Sequence, residues 1–286
     1  MTRTESRPSP ATAAFSGVDP DTIPRGRPRI LPTAAWWVVA VCLAVLFLYP
    51  IWVMVSNVDV ADLLKLTDAS RGLSIFQSLG NSAFVSITAT LVTLVASTFA
   101  GYAFAKLPYR GSTVAFFVIL VTFMVPFQAV ITPLYIVLRD IGLQNNLVGV
   151  ALVIATFNLP LSTFLMRNSF AAIPSSLEEA AQIDGAGPFT AMWRIMLPVA
   201  VPGLVSATLL SFFAAWNDFF AALILITDQK LYTLPVSIGI LSTDNQFGVD
   251  FGLMQTGVLI TVIPCVIIYL VLQRYYVAGL LGGALK

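Results

Sequence analysis

The 286-residue chain is 58% apolar and only 10% charged, with a mean hydropathy of +0.88 and a formal net charge of +1. A soluble domain carries about 25% charged residues, so this chain cannot cover itself in water and the bulk of it belongs in a bilayer. The near-neutral balance excludes a broad basic surface for nucleic acid, and the lack of histidine removes the commonest general base and metal ligand.

Two cysteines, Cys42 and Cys265, lie in long apolar runs, which fits neither a disulfide framework nor a zinc site. No G-x-x-x-x-G-K-[ST] loop occurs, so any energy taken from ATP must come from another polypeptide.

Residues 1–32 are rich in Pro, Ser, Thr and Arg and are predicted to form a disordered tail. Six uncharged or nearly uncharged stretches follow, roughly 33–55, 77–105, 112–138, 146–166, 199–226 and 253–273. Crossing a hydrocarbon core takes about 20 helical residues, so each is predicted to span. The first run begins too late and runs too long for a cleaved signal peptide. Continuous apolarity, without the alternation of barrel strands, makes these helices and the chain an all-α membrane protein. Residues 276–286 are expected to be a short C-terminal tail.

Lys and Arg set the orientation. With the N-terminus inside, eleven of the 15 fall on the inner side and only Lys65, Arg71, Arg139 and Lys230 on the outer, which places both termini in the cytoplasm. The outer segments 56–76, 139–145 and 227–252 hold seven Asp residues, as a solvated loop or a face for a soluble partner would.

The inner segment 167–198 carries helix signals that an idle connector would not need. Ser175 with Glu178, and Ser176 with Glu179, fit the S-x-x-E capping box. Glutamates also complement the positive end of a helix dipole, and Gly185 sits where a left-handed C-terminal cap belongs. A two-turn helix is predicted over about 176–184, with an apolar side made of Leu177, Ala180, Ala181 and Ile183. A second short helix is expected through Phe189, Trp193 and Ile195, stopping before Pro198. So short a helix needs something to dock on, either its own membrane domain or a groove on a cytoplasmic protein.

The run Glu179-Ala180-Ala181, three residues, Gly185, nine residues, Ile195, one residue, Leu197-Pro198 resembles the EAA signature of permease subunits of binding-protein-dependent ABC importers. Further blocks, among them Leu48-Tyr49-Pro50-Ile51-Trp52, Ala100-Gly101-Tyr102-Ala103-Phe104-Ala105, Met124-Val125-Pro126, Trp216-Asn217-Asp218 and Thr233-Leu234-Pro235, are similar to the MalG-like carbohydrate permeases. The likeness covers about residues 33–286. It implies a type I importer (MetI-like) core made by spans two to six, with span one as an N-terminal addition.

It also implies partners: a homologous permease, two cytoplasmic ATP-binding subunits that hold ATP and Mg, and an extracytoplasmic solute-binding protein. In such permeases the short helix of this loop inserts into a cleft on the ATPase. Carried over by position, Glu178, Glu179, Ala180, Ala181, Asp184, Gly185, Ile195, Leu197 and Pro198 make the coupling segment. No cofactor or catalytic residue is implied for this chain itself.

For the solute pathway the residues offer Asp218, the one carboxylate inside a span, with Trp216 and Asn217 beside it. An Asp at the bilayer centre costs about 2.5–3.5 kcal/mol on insertion scales, so it is expected to face a cavity or a partner. Trp, Asn and Asp together suit the CH face and hydroxyls of a sugar; hydrogen bonding within the bundle is the other reading. Gln128 and Asn158 are further cavity candidates, or interhelical contacts. Ser97, Gly101 and Ala105 form a small-xxx-small series expected to mark an internal helix contact. Pro126, Pro133 and Pro160 can break or kink spans three and four. A permease for glycerol-phosphate or polyols, or a proton-coupled carrier built on Asp218, are the competing readings.

Overall fold

The computed structural model describes residues 33–59, 74–107, 109–243 and 251–284. The expected tail at 1–32 lies outside them, as do Lys65, Arg71 and the acidic residues Asp62, Asp68, Asp244 and Asp250. Every regular element among the described residues is helical. The chain divides into two units, Met1–Val53 and Met54–Lys286.

The first unit contributes most of α1 (Thr33–Ser56), 24 residues with Pro50 inside it. At 1.5 Å per residue that is about 36 Å, enough to cross a hydrocarbon core. Its side chains are exposed nearly throughout, Trp37 and Phe47 among them. An apolar helix exposed on all sides faces lipid or another apolar surface.

The second unit is organised by α2 (Ile75–Lys106) and α5 (Leu147–Ala171), which run in the same direction. Thr93 donates to the carbonyl of Ala155 at 3.4 Å, and further along Gly101 meets Met166. A Cβ at position 101 would stand 2.6 Å from the Met166 Cβ and 2.8 Å from the Arg167 nitrogen. Glycine is therefore what lets the two backbones approach, and the small-residue series does lie on an internal contact, with Ser97 fully buried.

Against this pair lies α9 (Val201–Trp216), running the opposite way, with Ser211 hydrogen-bonded to Ser162 of α5 at 3.1 Å. The last helix, α12 (Phe251–Ala284), accepts the indole N–H of Trp216 on the carbonyl of Thr261 at 3.0 Å. α11 (Leu234–Thr243) packs between the start of α2 and α12, where Ser78 and Ser237 share a 2.6 Å hydrogen bond.

Two predicted spans are not single helices. Span three is α3 (Ser112–Thr122) and α4 (Phe127–Asp140), bent by 98° where Pro126 caps α4. Proline has no N–H to continue the ladder, and the residue before it is pushed out of the helical region, which explains the break. Pro133 and Pro160, by contrast, stay inside α4 and α5. Span five is α9 followed by α10 (Phe220–Leu225), interrupted at Asn217. Span six runs on as helix to Ala284 instead of ending near 273, so the expected tail from 276 is helical through that residue. Among the described residues four helices are each long and apolar enough to cross a membrane, and up to six spans result if the bent pairs Ser112–Thr122 with Phe127–Asp140 and Pro188–Val199 with Val201–Trp216 each count as one.

Candidate functional site

The segment after α5 forms the short helix α6 (Ser175–Ile183), within one residue of its predicted bounds. The capping boxes are not made. Pro174 occupies the N-cap position and no side chain caps the helix. Glu178 is engaged elsewhere: the Tyr102 hydroxyl, on α2, reaches its Oε1 at 3.1 Å and the Pro188 carbonyl at 3.3 Å. A carboxylate held by a hydroxyl across the bundle has left the reach-back geometry of a capping box.

The other end is built as expected. Gly185 has φ +81, and its N–H reaches the Gln182 carbonyl at 3.0 Å while the Ala186 N–H reaches that of Ala181 at 2.9 Å. These two bonds are the Schellman pair that closes a helix with a left-handed residue.

Beyond Gly187 the chain continues through α7 (Pro188–Ala191), a π-helical turn at Met192–Met196 and α8 (Leu197–Val199). The helical path does not stop before Pro198. That proline sits in the first turn of α8, where its missing N–H costs nothing, and the bend comes at Ala200, where α9 departs at 79°.

Several further contacts hold this segment against the membrane helices. Met192 and Met196 bury into a cluster with Tyr102, Met166, Phe170 and Ile173. The Lys106 ammonium donates to the Ile173 carbonyl at 2.6 Å, and Ala181 is 3% exposed. Arg167 lies 4.2 Å over the Phe116 ring, joining α3 to the same end.

What remains open is apolar. Ile183 is 86% exposed, and Leu177, Phe189 and Trp193 are exposed as well. Phe99, Phe189 and Trp193 form a ring cluster with centroids 6.1 to 6.3 Å apart. Glu179, Ala180 and Asp184 are also at the surface, as is Pro198, while Ile195 and Leu197 are half-buried.

Tyr102 was not singled out from the sequence; a tyrosine amid small residues on the α2 face that meets α5 was the available signal. Replacing it by phenylalanine removes one hydroxyl and leaves the ring against Phe170, at 5.5 Å. Losing such a bond to a charged group costs about 1.5–3 kcal/mol. The Tyr102→Phe protein is expected to reach the membrane normally, with the backbone amides of Ser175–Ile183 about tenfold less protected from hydrogen exchange.

The pathway candidates separate in three directions. Gln128 of α4, Asn158 of α5 and Asp218, at the break between α9 and α10, line one cleft of about 280 Å³. Phe127, Phe157 and Phe220 line it too, with Phe127 edge-on to the other two at 4.9 and 5.8 Å. Asp218 Oδ1 also accepts the Ala222 N–H at 3.1 Å, which caps α10.

Trp216 does not join them. It is 3% exposed, stacks on Phe212 at 5.6 Å and spends its N–H on Thr261, so it offers no face to a solute. Asn217 opens on the other side, into a space lined by Pro235, Gly239 and Met254, and donates to the Phe213 carbonyl at 2.9 Å.

At the opposite end of the bundle, the Asn81 amide donates to the carbonyls of Lys230 and Tyr232 at 2.9 and 3.0 Å. Asn145, at φ 52, accepts the N–H groups of Thr227 and Asp228. The segment before α11 is thus tied down from two sides.

Residues 94–280 match the family described as binding-protein-dependent transport system inner membrane component. The chain belongs to this family. The match takes in the whole of residues 167–198 and the cleft lining.

Among the relatives, the chain is 36% identical over 216 residues to the trehalose transport system permease protein SugB of Mycobacterium tuberculosis, covering 76% of this chain and 79% of that one. It is 33% identical over 208 residues to the trehalose/maltose transport system permease protein MalG of Thermococcus litoralis, covering 73% and 74%. Among solved structures it is similar to a bacterial ABC transporter that imports the acidic polysaccharide alginate, with a TM-score of 0.70, 26% identity, and 85% of this chain and 96% of that one covered. The MetNI methionine transporter shares the fold at a TM-score of 0.55 and 20% identity, covering 76% and 97%. The chain is therefore an all-helical permease of the type I importer fold.

Proposed function

We propose that this chain is the carbohydrate-translocating permease of an ATP-driven importer, and that α6 is the handle by which a separate ATPase moves it. The observation that carries this reading is the state of α6. A nine-residue helix is too short to persist alone in water, since isolated helices need about 12–15 residues. It is nonetheless held rigidly at Ala181 and Glu178, while Ile183, Leu177 and the ring cluster stay open. A presented helix end with apolar flanks suits insertion into a groove on another protein.

Glu179, exposed beside it, is placed to meet a basic group there. Carbohydrate as the solute is supported by the trehalose and maltose permeases among the relatives. Uptake then needs two ATP-hydrolysing subunits, a second permease and an extracytoplasmic binding protein. With the loop inside, both termini lie in the cytoplasm, and the cleft of Gln128, Asn158 and Asp218 is this subunit's part of the solute path.

The test is Glu179→Lys. The substitution reverses an exposed charge that makes no contact needed for folding, so the protein is expected in the membrane at normal level with ATP-driven sugar uptake lost. Uptake at the original rate would remove the coupling role.

A further inference from the structure

The cleft between α4, α5 and the α9–α10 break differs in chemistry from the rest of the apolar bundle. Among the described residues its polar side chains are two amides, Gln128 and Asn158, and one carboxylate, Asp218, and no Lys or Arg lines it. Its walls are Phe127, Phe157 and Phe220, set edge to face. Amides donate to and accept from hydroxyls, rings cover CH faces, and a carboxylate accepts hydrogen bonds from hydroxyls but repels a second anion. Asp218 is anchored in place because its Oδ1 caps α10, so its charge is fixed relative to the amides.

We propose that Asp218 makes this cleft selective by charge, admitting neutral hydroxyl-bearing sugar units and turning back anionic ones such as uronates. The inference rests on the reading of the cleft as part of the solute path. Asp218 acts here as a specificity residue; the amides and rings serve any sugar, and only the carboxylate distinguishes the acid from its neutral counterpart. Asparagine at 218 keeps an oxygen for the Ala222 N–H while removing the charge, so the cap survives the test.

The experiment places Ala214→Cys, in the cleft lining, in the assembled transporter with Cys42→Ser and Cys265→Ser. Cationic ethyltrimethylammonium and anionic ethylsulfonate methanethiosulfonates are compared for their rate of modification. The cation-to-anion rate ratio is expected to fall at least tenfold on adding Asp218→Asn. Maltotriose is expected to slow modification in both backgrounds, and trigalacturonate only once Asp218 is replaced. An unchanged ratio, or a cysteine that neither reagent reaches, overturns the charge selection. A ratio that falls while neither saccharide protects leaves the charge in place but removes the cleft from the solute path, and the proposal falls with that reading.

Discussion

Replacing Gly185 by valine is expected to abolish ATP-driven uptake while leaving the permease in the membrane. Position 185 has φ +81, and no atom stands within 4 Å of where a Cβ would go, so the penalty is one of backbone conformation and not of space. A left-handed residue with a side chain costs about 1–2 kcal/mol, and a β-branched one is worse. In a long helix that cost would be absorbed. Here it falls on nine residues whose C-terminal end is closed by the Schellman bonds from Gly185 and Ala186. The helix end is expected to unwind, taking Ile183 and Asp184 out of register. Uptake in proteoliposomes should drop by more than tenfold, with membrane level and detergent stability close to the original. Gly185→Asn, which tolerates the left-handed region, should restore most of it.

The second large effect is expected from Gly101→Val, and it is of a different kind. The substituted Cβ meets the Met166 Cβ at 2.6 Å and the Arg167 nitrogen at 2.8 Å, and backbone cannot yield as a side-chain tip can. Relieving the clash means parting α2 from α5, the pair around which Tyr102, Met166 and Phe170 are buried. Overpacking costs about 1–3 kcal/mol where neighbours can relax, and more where they cannot. The variant should show a lowered thermal midpoint in detergent and a reduced membrane level. Gly101→Ala should lie between it and the original. An unchanged midpoint for the valine variant would mean that α2 and α5 do not pack this closely.

The contrast between these glycines shows what the sequence could reveal. Gly185 was legible because a left-handed cap follows an apolar, Ala-rich run, and that signal is local. Gly101 was legible only as part of a small-residue series; that its neighbour is Met166 of α5 depends on how two distant helices meet. The apolar helices could be read from the length of the uncharged runs, yet the 98° bend at Pro126 and the break at Asn217 could not be distinguished from ordinary kinks, because a proline or a polar pair reads alike in both.

Around the site the division is the same. The bounds of α6 followed from its residues, but its cap did not, since Glu178 answers to Tyr102, 76 positions away. Trp216, Asn217 and Asp218 are adjacent in sequence and face three ways in the structure, one buried, one toward Pro235 and one into the cleft with Gln128 and Asn158. Trp216 closes α9 whereas Asn217 and Asp218 lie in the break before α10, so a motif read as one chemical unit is divided where the helix ends.

The central claim, that α6 is gripped by a separate ATPase, is tested most directly by photocrosslinking from Ile183. This side chain is 86% exposed and makes no contact that its replacement would disturb. A benzophenone attached at Ile183→Cys, in the Cys42→Ser, Cys265→Ser background of the assembled transporter, is predicted to form a covalent adduct with the ATP-hydrolysing subunit, and Gly185→Val to abolish that adduct. ATP-driven uptake that proceeds with no adduct to that subunit would contradict the account.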